Sequence, residues 1–415
     1  MLNLRWRPWL ALLTLFGVVS LAALPGPANA AVRRDGGEFA GSAAADGIRE
    51  NQGWVLGMLN AAAAWQVTRG AGVTVAVIDS GVNPDVSDLA GSVISGPDFT
   101  GVSTSPASGN WGVHGTWMAS LIAGHGHDAG LSGVIGIAPQ ARILSIRVIP
   151  DRGDPHYNKY EHEPETFIQQ SLAKGIDYAV THGARVISMS IGYSAPSGAV
   201  KLALQNAFDH GVVVVASAGN SGDQSGSGHS GQAPESFPAN YPGVISVGAV
   251  KPSGAVAGFS SDNLSVQVAA PGVAVPAQGR DGQYWWVSGT SPACALVAGV
   301  AALIKARYPA IAPDLVASAL NSTTTDRPPG GYDSQVGFGI VDAAAALAKA
   351  GVLAGARPAD AGIKDTARYH GVLPPEPVRP RGSGQLVLFG LLALTSLALI
   401  VVAGTRLAIL RRASR

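Results

Sequence analysis

The sequence predicts an α/β domain whose central sheet is mainly parallel and is covered by helices on both faces. Short apolar, β-branched runs alternate along the chain with longer segments of helical spacing, which is the pattern of βαβ units. These runs contain few polar residues, as expected for strands buried on both faces. The 415 residues, 47% apolar and 13% charged, suit one large, closely packed domain with further segments at its ends.

Strands and helices alternate along the middle of the chain. Continuous apolar runs predict strands over residues 73–78, 143–149, 186–192, 212–216 and 244–250. Apolar residues at helical spacing predict helices over 54–65, 167–182 and 200–210, one that begins at His114, and helices that fill 292–349. Between them, the polar stretch 151–166 has five acidic residues against two basic ones and is predicted to be a solvated insertion.

The start of the chain has the features of a secretory signal peptide. Arg5 and Arg7 precede an apolar run, and small residues at positions 28–30 form a cleavage site, so residues 1–30 are predicted to be removed. Residues 31–53 then form an N-terminal arm. It is too short and has too few apolar residues to fold as a separate inhibitory domain.

The end of the chain predicts a membrane anchor. Residues 351–385 are rich in Pro, Gly and Arg and form a predicted linker. Residues 386–405 carry no charge, and a helix of this length spans about 30 Å of bilayer. The arginines of the tail 406–415 predict a cytoplasmic C-terminus. The chain is thus predicted to be a single-pass protein of the cell membrane, with the domain 54–350 outside the cytoplasm.

The net charge gives no support for nucleic-acid binding, and the cysteine content excludes a disulfide within the chain. The formal net charge of +1 gives no basis for a surface that binds nucleic acid. Cys294 is the single cysteine of the sequence, so no disulfide can form within the chain. Because Cys294 lies in an apolar helical stretch, it is predicted to be a buried and unreactive thiol.

A candidate nucleophile precedes this apolar helix. Ser291 lies in the segment Gly-Thr-Ser-Pro-Ala, and proline at residue 292 is typical of the first turn of a helix. Free backbone N–H groups and the helix dipole at such a helix start favour developing negative charge. A serine in this place suits attack on a carbonyl group, provided that a base takes its proton.

Three further polar residues stand beside glycines in ordered motifs. Asp79 ends a predicted strand in Asp-Ser-Gly, and His114 begins a predicted helix in His-Gly-Thr. A histidine can take the proton of Ser291, and a carboxylate can fix the tautomer of that histidine. Asn220, in Ala-Gly-Asn after a β-run, has a side-chain amide that could donate to an oxyanion.

These ordered motifs resemble those of the subtilisin family of serine proteases, the S8 peptidases, over about residues 54–349. The segments 136–139 (Gly-Ile-Ala-Pro), 270–272 (Ala-Pro-Gly) and 337–343 match the family as well. The resemblance implies a subtilisin-like three-layer fold, with Asp79, His114 and Ser291 as the catalytic triad and Asn220 as oxyanion donor. It further implies that two segments flank a bound peptide as edge strands. The substrate-binding residues that the resemblance implies are Ser188, Ser190, Ile191, Gly192, Ser217, Ala218 and Gly219.

The order of the segments resembles the mycosins, proteases of type VII secretion systems in actinobacteria. The predicted order in this chain, which mycosins share, is a signal peptide, no full-length pro-domain, a subtilisin-like domain, a Pro-rich linker and one C-terminal membrane helix. Mycosins of mycobacteria also carry disulfides, so this chain belongs to a looser branch. The resemblance implies a protein or peptide substrate and partners among the components of a membrane secretion channel.

No cofactor and no metal site are predicted. Many subtilisins hold a structural calcium ion, but the sequence contains no acidic cluster to which one can be assigned. His125 and His127 are spaced two apart without an obvious third ligand, so a loop is the better interpretation of that segment.

Two classes of function remain open from the sequence. In the first, the protein is an active endopeptidase that acts outside the membrane on secreted or envelope proteins. In the second, it is mainly a structural partner that stabilises a secretion channel, and proteolysis is secondary. The intact set of motifs favours the first class, whereas the membrane helix and the acidic insertion favour partners.

Overall fold

The computed structural model of the chain describes residues 39–43, 47–222 and 233–355. The predicted signal peptide, most of the predicted linker, the predicted membrane helix and the basic tail lie outside these residues. The strands are β1 Phe39–Ala43, β2 Thr74–Asp79, β3 Val93–Asp98, β4 His125–His127, β5 Ser132–Ile135, β6 Arg142–Arg147, β7 Val186–Met189, β8 Val213–Ser217, β9 Ile245–Val250, β10 Val266–Pro271, β11 Val275–Gln278 and β12 Tyr284–Ser288. The helices are α1 Ile48–Met58, α2 Ala61–Trp65, α3 Val113–Ala123, α4 Tyr157–Glu161, α5 Glu165–Thr181, α6 Gly198–Asp209, α7 Thr290–Arg307, α8 Pro313–Ser322 and α9 Ala343–Gly355.

The central sheet is parallel and has seven strands in the order β10-β9-β8-β7-β2-β6-β3. Successive residues of β2 pack on opposite faces, as the period of a strand requires. Val75 and Val77 join the buried cluster that contains α3 and α7, whereas Ala76 and Ile78 join the cluster that contains α5 and α6. The predicted three-layer arrangement of a parallel sheet between helices is therefore confirmed.

Helix α7 lies at the centre of the larger cluster. Among the described residues it is the helix that has the length and apolar character of a membrane span, but 89% of that span is buried inside the domain. Such a helix is apolar all round because it packs on every side. Its composition therefore reflects the core of the domain.

Two predicted boundaries are wrong. The helix predicted over 54–65 begins at Ile48 and is two helices, because Asn60 adopts a left-handed conformation with φ 53° between α1 and α2. The helices predicted over 292–349 are present as α7, α8 and α9, with an irregular segment before α9. Helix α9 also continues to Gly355, into the range predicted as linker.

Of the N-terminal arm predicted over 31–53, residues 39–43 form a strand beside the segment that leads to Ser291, and residues 48–53 belong to α1. Strand β1 pairs antiparallel with β12, from Phe39 opposite Ser288 to Ala43 opposite Tyr284, and β11 pairs on the other side of β12. This small sheet was not predicted, because its strands are short and one lies in a stretch of small, polar residues.

Helix α1 is attached to the β4–β5 hairpin through a guanidinium group. Arg49 Nε donates to the carbonyl oxygen of Gly133 at 2.7 Å, and its terminal nitrogens donate to Ser132 at 2.9 Å and Gly130 at 3.2 Å. The buried Gln52 on the same helix bonds β5 through both atoms of its amide. Carbonyl oxygens that converge in this way are also the ligands that Ca²⁺ prefers.

We expect Arg49→Met to lower the free energy of unfolding by about 2 kcal/mol, because hydrogen bonds of a charged group contribute about 1.5–3 kcal/mol. The corresponding fall in Tm is roughly 5 °C. Lys174→Met removes an exposed charge from α5 and serves as the matched control, with a change of Tm of less than about 2 °C.

Since the guanidinium of Arg49 occupies the converging carbonyl groups, we expect no Ca²⁺ ion to stabilise this hairpin, and a calcium chelator should not reproduce the fall in Tm caused by Arg49→Met. Thermal unfolding with and without the chelator checks this. A fall in Tm on chelation as large as that caused by Arg49→Met would contradict the expectation.

Candidate active site

Asp79 and His114 form a close pair at the carboxyl edge of the central sheet. Asp79 is the last residue of β2 and is 1% exposed, and its Oδ1 lies 2.6 Å from Nδ1 of His114. The backbone N–H of Ser80 donates to the same oxygen at 2.7 Å, which fixes the carboxylate. With Nδ1–H donating to Asp79, Nε2 of His114 is the ring nitrogen that can accept a proton.

Glycines allow helix α3 to come this close to the end of β2. Gly115 follows His114, and a Cβ on it would lie 2.1 Å from the carbonyl oxygen of Gly81. Gly81 itself has φ 100°, a conformation that favours glycine. The glycines of the Asp-Ser-Gly and His-Gly-Thr motifs therefore make the Asp79–His114 contact sterically possible.

Ser291 lies in the first turn of α7, as predicted, and is 6% exposed. Helices α3 and α7, which carry His114 and Ser291, pack against each other. The turn before α7 is held by the Ala-Pro-Gly segment, because Gly289 donates its N–H to the carbonyl oxygen of Gly272 at 2.9 Å. A Cβ on Gly272 would lie 2.7 Å from the carbonyl oxygen of Gly289, so glycine is needed here too.

The amide of Asn220 is oriented by Thr290, a residue whose role was not predicted. Oδ1 of Asn220 accepts the backbone N–H of Thr290 at 2.9 Å and its hydroxyl at 3.0 Å. A backbone N–H can only donate, so the accepting atom must be the amide oxygen, and the NH₂ group faces the other way. Thr290 Oγ1 also accepts the N–H of Gly219 at 3.2 Å. The Gly-Thr-Ser motif thus links Asn220 to the turn that carries Ser291.

The middle of the chain is similar to a known family of proteins. Residues 70–339 match the model of the subtilase family, peptidase S8. Subtilisin DY of Bacillus licheniformis is 34% identical over 278 residues, which cover 67% of this chain and 92% of that protein. Thermitase of Thermoactinomyces vulgaris is 34% identical over 249 residues, which cover 60% of this chain and 80% of that protein.

The chain belongs to the subtilase family. It is a subtilisin-type serine protease, and its fold is close to that of mycosins. The crystal structure of MycP1 from Mycobacterium smegmatis has a TM-score of 0.58 and 30% identity, and covers 71% of this chain and 84% of MycP1. The structure of the MycP3 protease from the type VII (ESX-3) secretion system has a TM-score of 0.59 and 30% identity, and covers 71% of this chain and 87% of MycP3.

The prediction that residues 188–192 and 217–219 of this subtilase form edge strands is wrong. Ser188 lies in β7 and Ser217 ends β8, and both strands are central, with a neighbour on each side. Ser188 is 2% exposed, and its hydroxyl lies 3.8 Å from Sγ of Cys294. The prediction extended one strand over 186–192, whereas β7 ends at Met189. The side chains of Ser188 and Ser217 therefore pack in the interior.

The remaining predicted substrate-binding residues lie past the ends of these strands. They are Ser190, Ile191, Gly192, Ala218 and Gly219. Ala218 is fully buried and donates its N–H to Val247 at 3.0 Å, and the carbonyl group of Gly219 accepts the N–H of Ser261 at 2.9 Å. Gly192, in contrast, is exposed. Segment 190–192 of the subtilase domain thus reaches the surface, whereas 218–219 is bound within the domain.

Cys294 is buried, as predicted. Burial raises the pKa of its thiol to about 12, so the thiol stays protonated at neutral pH.

The histidines predicted to lie in a loop are instead on strand β4, and Nδ1 of His127 lies 2.7 Å from the buried carboxylate of Asp88. Within the described ranges, no group of three or more His, Cys, Asp and Glu residues is placed to hold a metal ion.

The insertion of this subtilase is only partly a solvated loop. Asp151 and Asp154 at its start are 9% and 4% exposed, and residues 157–161 form α4. The guanidinium of Arg147 is 1% exposed and lies 2.9 Å from Asp154 and 2.6 Å from Asp98. Burial of this cation requires carboxylate partners, and the insertion supplies one of them. Composition alone could not separate these two acids from the exposed ones that follow.

Proposed function

We propose that this subtilase is a membrane-anchored, extracytoplasmic serine endopeptidase that hydrolyses peptide bonds of secreted or envelope proteins through an acyl-enzyme. The observation that carries the proposal is the 2.6 Å contact between Asp79 and His114. His114 lies on α3, and α3 packs against α7, whose first turn contains Ser291. A buried carboxylate that orients a histidine is the arrangement that activates a serine hydroxyl within reach of the second ring nitrogen.

In the proposed reaction, Oγ of Ser291 attacks the scissile carbonyl carbon while Nε2 of His114 takes the serine proton. Asp79 stabilises the imidazolium and holds its tautomer. The C–N bond then breaks, the leaving amine receives the proton from His114, and an ester to Ser291 remains. A water molecule, activated by His114 in the same way, releases the acid and restores the serine.

The oxyanion formed in each addition step needs donors that are already in place. The NH₂ group of Asn220 is a suitable one, since its amide oxygen is held by Thr290 and the group faces away from that residue. The backbone N–H groups at the start of α7 add to the positive potential around Ser291. The substrate chain would pair with the backbone of segment 190–192 by strand addition.

The place of action follows from the sequence outside the described residues. The predicted linker and membrane helix would keep the domain near the outer face of the membrane, where tethering raises the effective concentration of emerging substrates. The likeness to MycP1 and MycP3 supports a role linked to type VII secretion. It also supports the second candidate, a structural partner of a secretion channel, because one MycP1 structure is described as that of an essential component of such a system.

Protease accessibility tests the proposed location. In intact protoplasts of the producing cell, added protease should digest the domain 54–350 and leave a small fragment with the predicted membrane helix and a C-terminal epitope tag. The reason is that a charged tail stays in the cytoplasm while the domain is exported.

A chain truncated after residue 355, at the end of α9, is the matched control and should be released into the medium. Protoplasts opened by detergent should lose the tag as well. Protection of the domain in intact protoplasts would show that the proposed orientation is wrong.

A further inference from the structure

The N-terminus of helix α3 is capped by a side chain from a distant part of the chain. Asp151 follows β6, and its Oδ2 accepts the N–H of Val113 at 2.9 Å while its Oδ1 accepts the N–H of His114 at 2.9 Å. These are the first two residues of α3, and such N–H groups have no partner within a helix. His114 therefore stands on a helix end whose cap is a carboxylate.

The helix cannot supply this cap from its own N-terminus. Gly112 occupies the N-cap position with φ 72°, a left-handed conformation that favours glycine. A Cβ on Gly112 would also lie 3.1 Å from the carbonyl group of Gly81. Serine or aspartate, the usual N-cap residues, would be strained at this position, so the cap has to come from elsewhere.

Asp151 is also connected to the other member of the pair. The side chain of Ser80 acts on the carboxyl group of Asp151 by lowering its pKa, and the backbone N–H of Ser80 donates to Asp79. The carbonyl oxygen of Ser80 accepts Nε of the buried Arg147 at 3.2 Å. Asp154, which pairs with Arg147, donates its N–H to the carbonyl oxygen of Asp151 at 2.9 Å. The start of the insertion is thus bound to the segment that carries Asp79.

This position is unfavourable for an ionised carboxyl group. Burial raises the pKa of Asp151, although the N–H groups of His114 and Val113 act in the opposite direction. An aspartate whose pKa is higher in the folded than in the unfolded state makes the fold less stable as the pH rises through the folded-state pKa. Both carboxylate oxygens of Asp151 accept backbone N–H groups, as those of an ionised carboxylate do, so the ionised form is held here at a cost in stability.

The charge is explained by the proton that His114 would accept. The positive end of the α3 dipole opposes an imidazolium ion on the second residue of the helix. A carboxylate placed directly on the N–H groups of residues 113 and 114 offsets this potential. Of the charged groups around this helix end, Asp79 faces the ring, while Arg147 and Asp154 are paired with each other behind Ser80.

We propose that Asp151 is a positioning residue for catalysis, which caps the helix of His114, holds it against Asp79 and favours the imidazolium ion during proton transfer. The inference rests on the proposed function of His114 as the base. Asp151 acts through His114 and does not touch the substrate, so its loss should change turnover and its pH dependence but not substrate binding.

The test uses the full-length chain in detergent and a peptide substrate. Asp151→Asn, which keeps the size and one acceptor but removes the charge, should lower kcat about 10-fold and leave KM within about twofold. The acidic limb of the pH profile of kcat/KM should move to lower pH by roughly one unit, because the imidazolium form loses a favourable charge. Glu161→Gln, which removes an exposed acid from the same insertion, should match the wild type.

An unchanged pH profile and kcat in folded Asp151→Asn, with an active wild type, would overturn this inference alone. A folded wild type without activity would overturn the proposed function instead. If Asp151→Asn does not fold, Asp151→Ser takes the same measurements with a smaller neutral acceptor. Failure of both variants to fold would assign Asp151 to folding and would also overturn the proposal.

Discussion

Ser291→Ala is expected to lower kcat by about 10⁶-fold while the protein remains folded, a magnitude carried over from another subtilisin. Without Oγ no acyl-enzyme can form, and the activity that remains comes from substrate binding and the oxyanion donors. The measurement is kcat for a peptide substrate with the full-length chain in detergent, with circular dichroism as the check on folding. Ser322→Ala, on the exposed face of α8, is the matched control and should keep full activity.

Labelling with a fluorophosphonate separates the chemistry of Ser291 from turnover. The wild type and Ser322→Ala should be labelled at Ser291, and His114→Ala should lose the label because the serine has no base. A wild-type protein that is folded but neither hydrolyses peptides nor takes up the reagent would overturn the assignment of Ser291 as the nucleophile.

The same substitution separates the two candidate functions in cells. If proteolysis is the main role, Ser291→Ala should impair secretion as strongly as deletion of the whole chain. If the protein mainly stabilises a channel, Ser291→Ala should secrete normally while the deletion does not. The readout is the amount of secreted protein in the medium, with the membrane level of the variant measured beside it.

Asn220→Ala is expected to lower kcat by about 10²–10³-fold, equivalent to about 2.7–4 kcal/mol, with little change in KM. This magnitude too is taken from a subtilisin. The amide of Asn220 would meet the substrate oxygen most strongly when that oxygen becomes an anion, so its loss raises the barrier without weakening ground-state binding.

Two further variants show whether the orientation of the amide matters. Thr290→Val removes the hydroxyl that bonds Asn220 and Gly219 but keeps the backbone N–H, and should lower kcat by roughly 10-fold. Asn206→Ala removes a surface amide that bonds Asp177 and should leave kcat unchanged. A normal kcat in Asn220→Ala would mean that backbone donors alone hold the oxyanion.

The parallel sheet was predictable because its strands are buried on both faces. Every residue of a strand such as β8 must then be compatible with burial, and the sequence shows this as an unbroken apolar run. The small sheet of β1, β11 and β12 gave no such run. Its strands are short and their partners are distant, so local periodicity carries little information about them.

The substrate segments show a different limit. An apolar run indicates a strand, but it does not indicate which strands are its neighbours. The motifs were therefore consistent with edge strands at 188–192 and 217–219. In the sheet itself, however, β7 and β8 each have a neighbouring strand on both sides. The position of a strand in a sheet depends on the crossovers between strands, which a single stretch of residues does not encode.

The sequence by itself predicted the family and the parallel architecture, and it singled out Asp79, His114, Ser291 and Asn220 as candidate catalytic residues, because the ordered set of their motifs is specific although each motif alone is weak. The tertiary structure alone decided which atoms meet. It brings Oδ1 of Asp79 to Nδ1 of His114, turns the amide of Asn220 through Thr290, and places Asp151 on the start of α3. Asp151 looked like one acid among several in a polar insertion, since a hydrogen bond between segments far apart in the chain depends on the path of the chain and leaves no periodic signal in either segment.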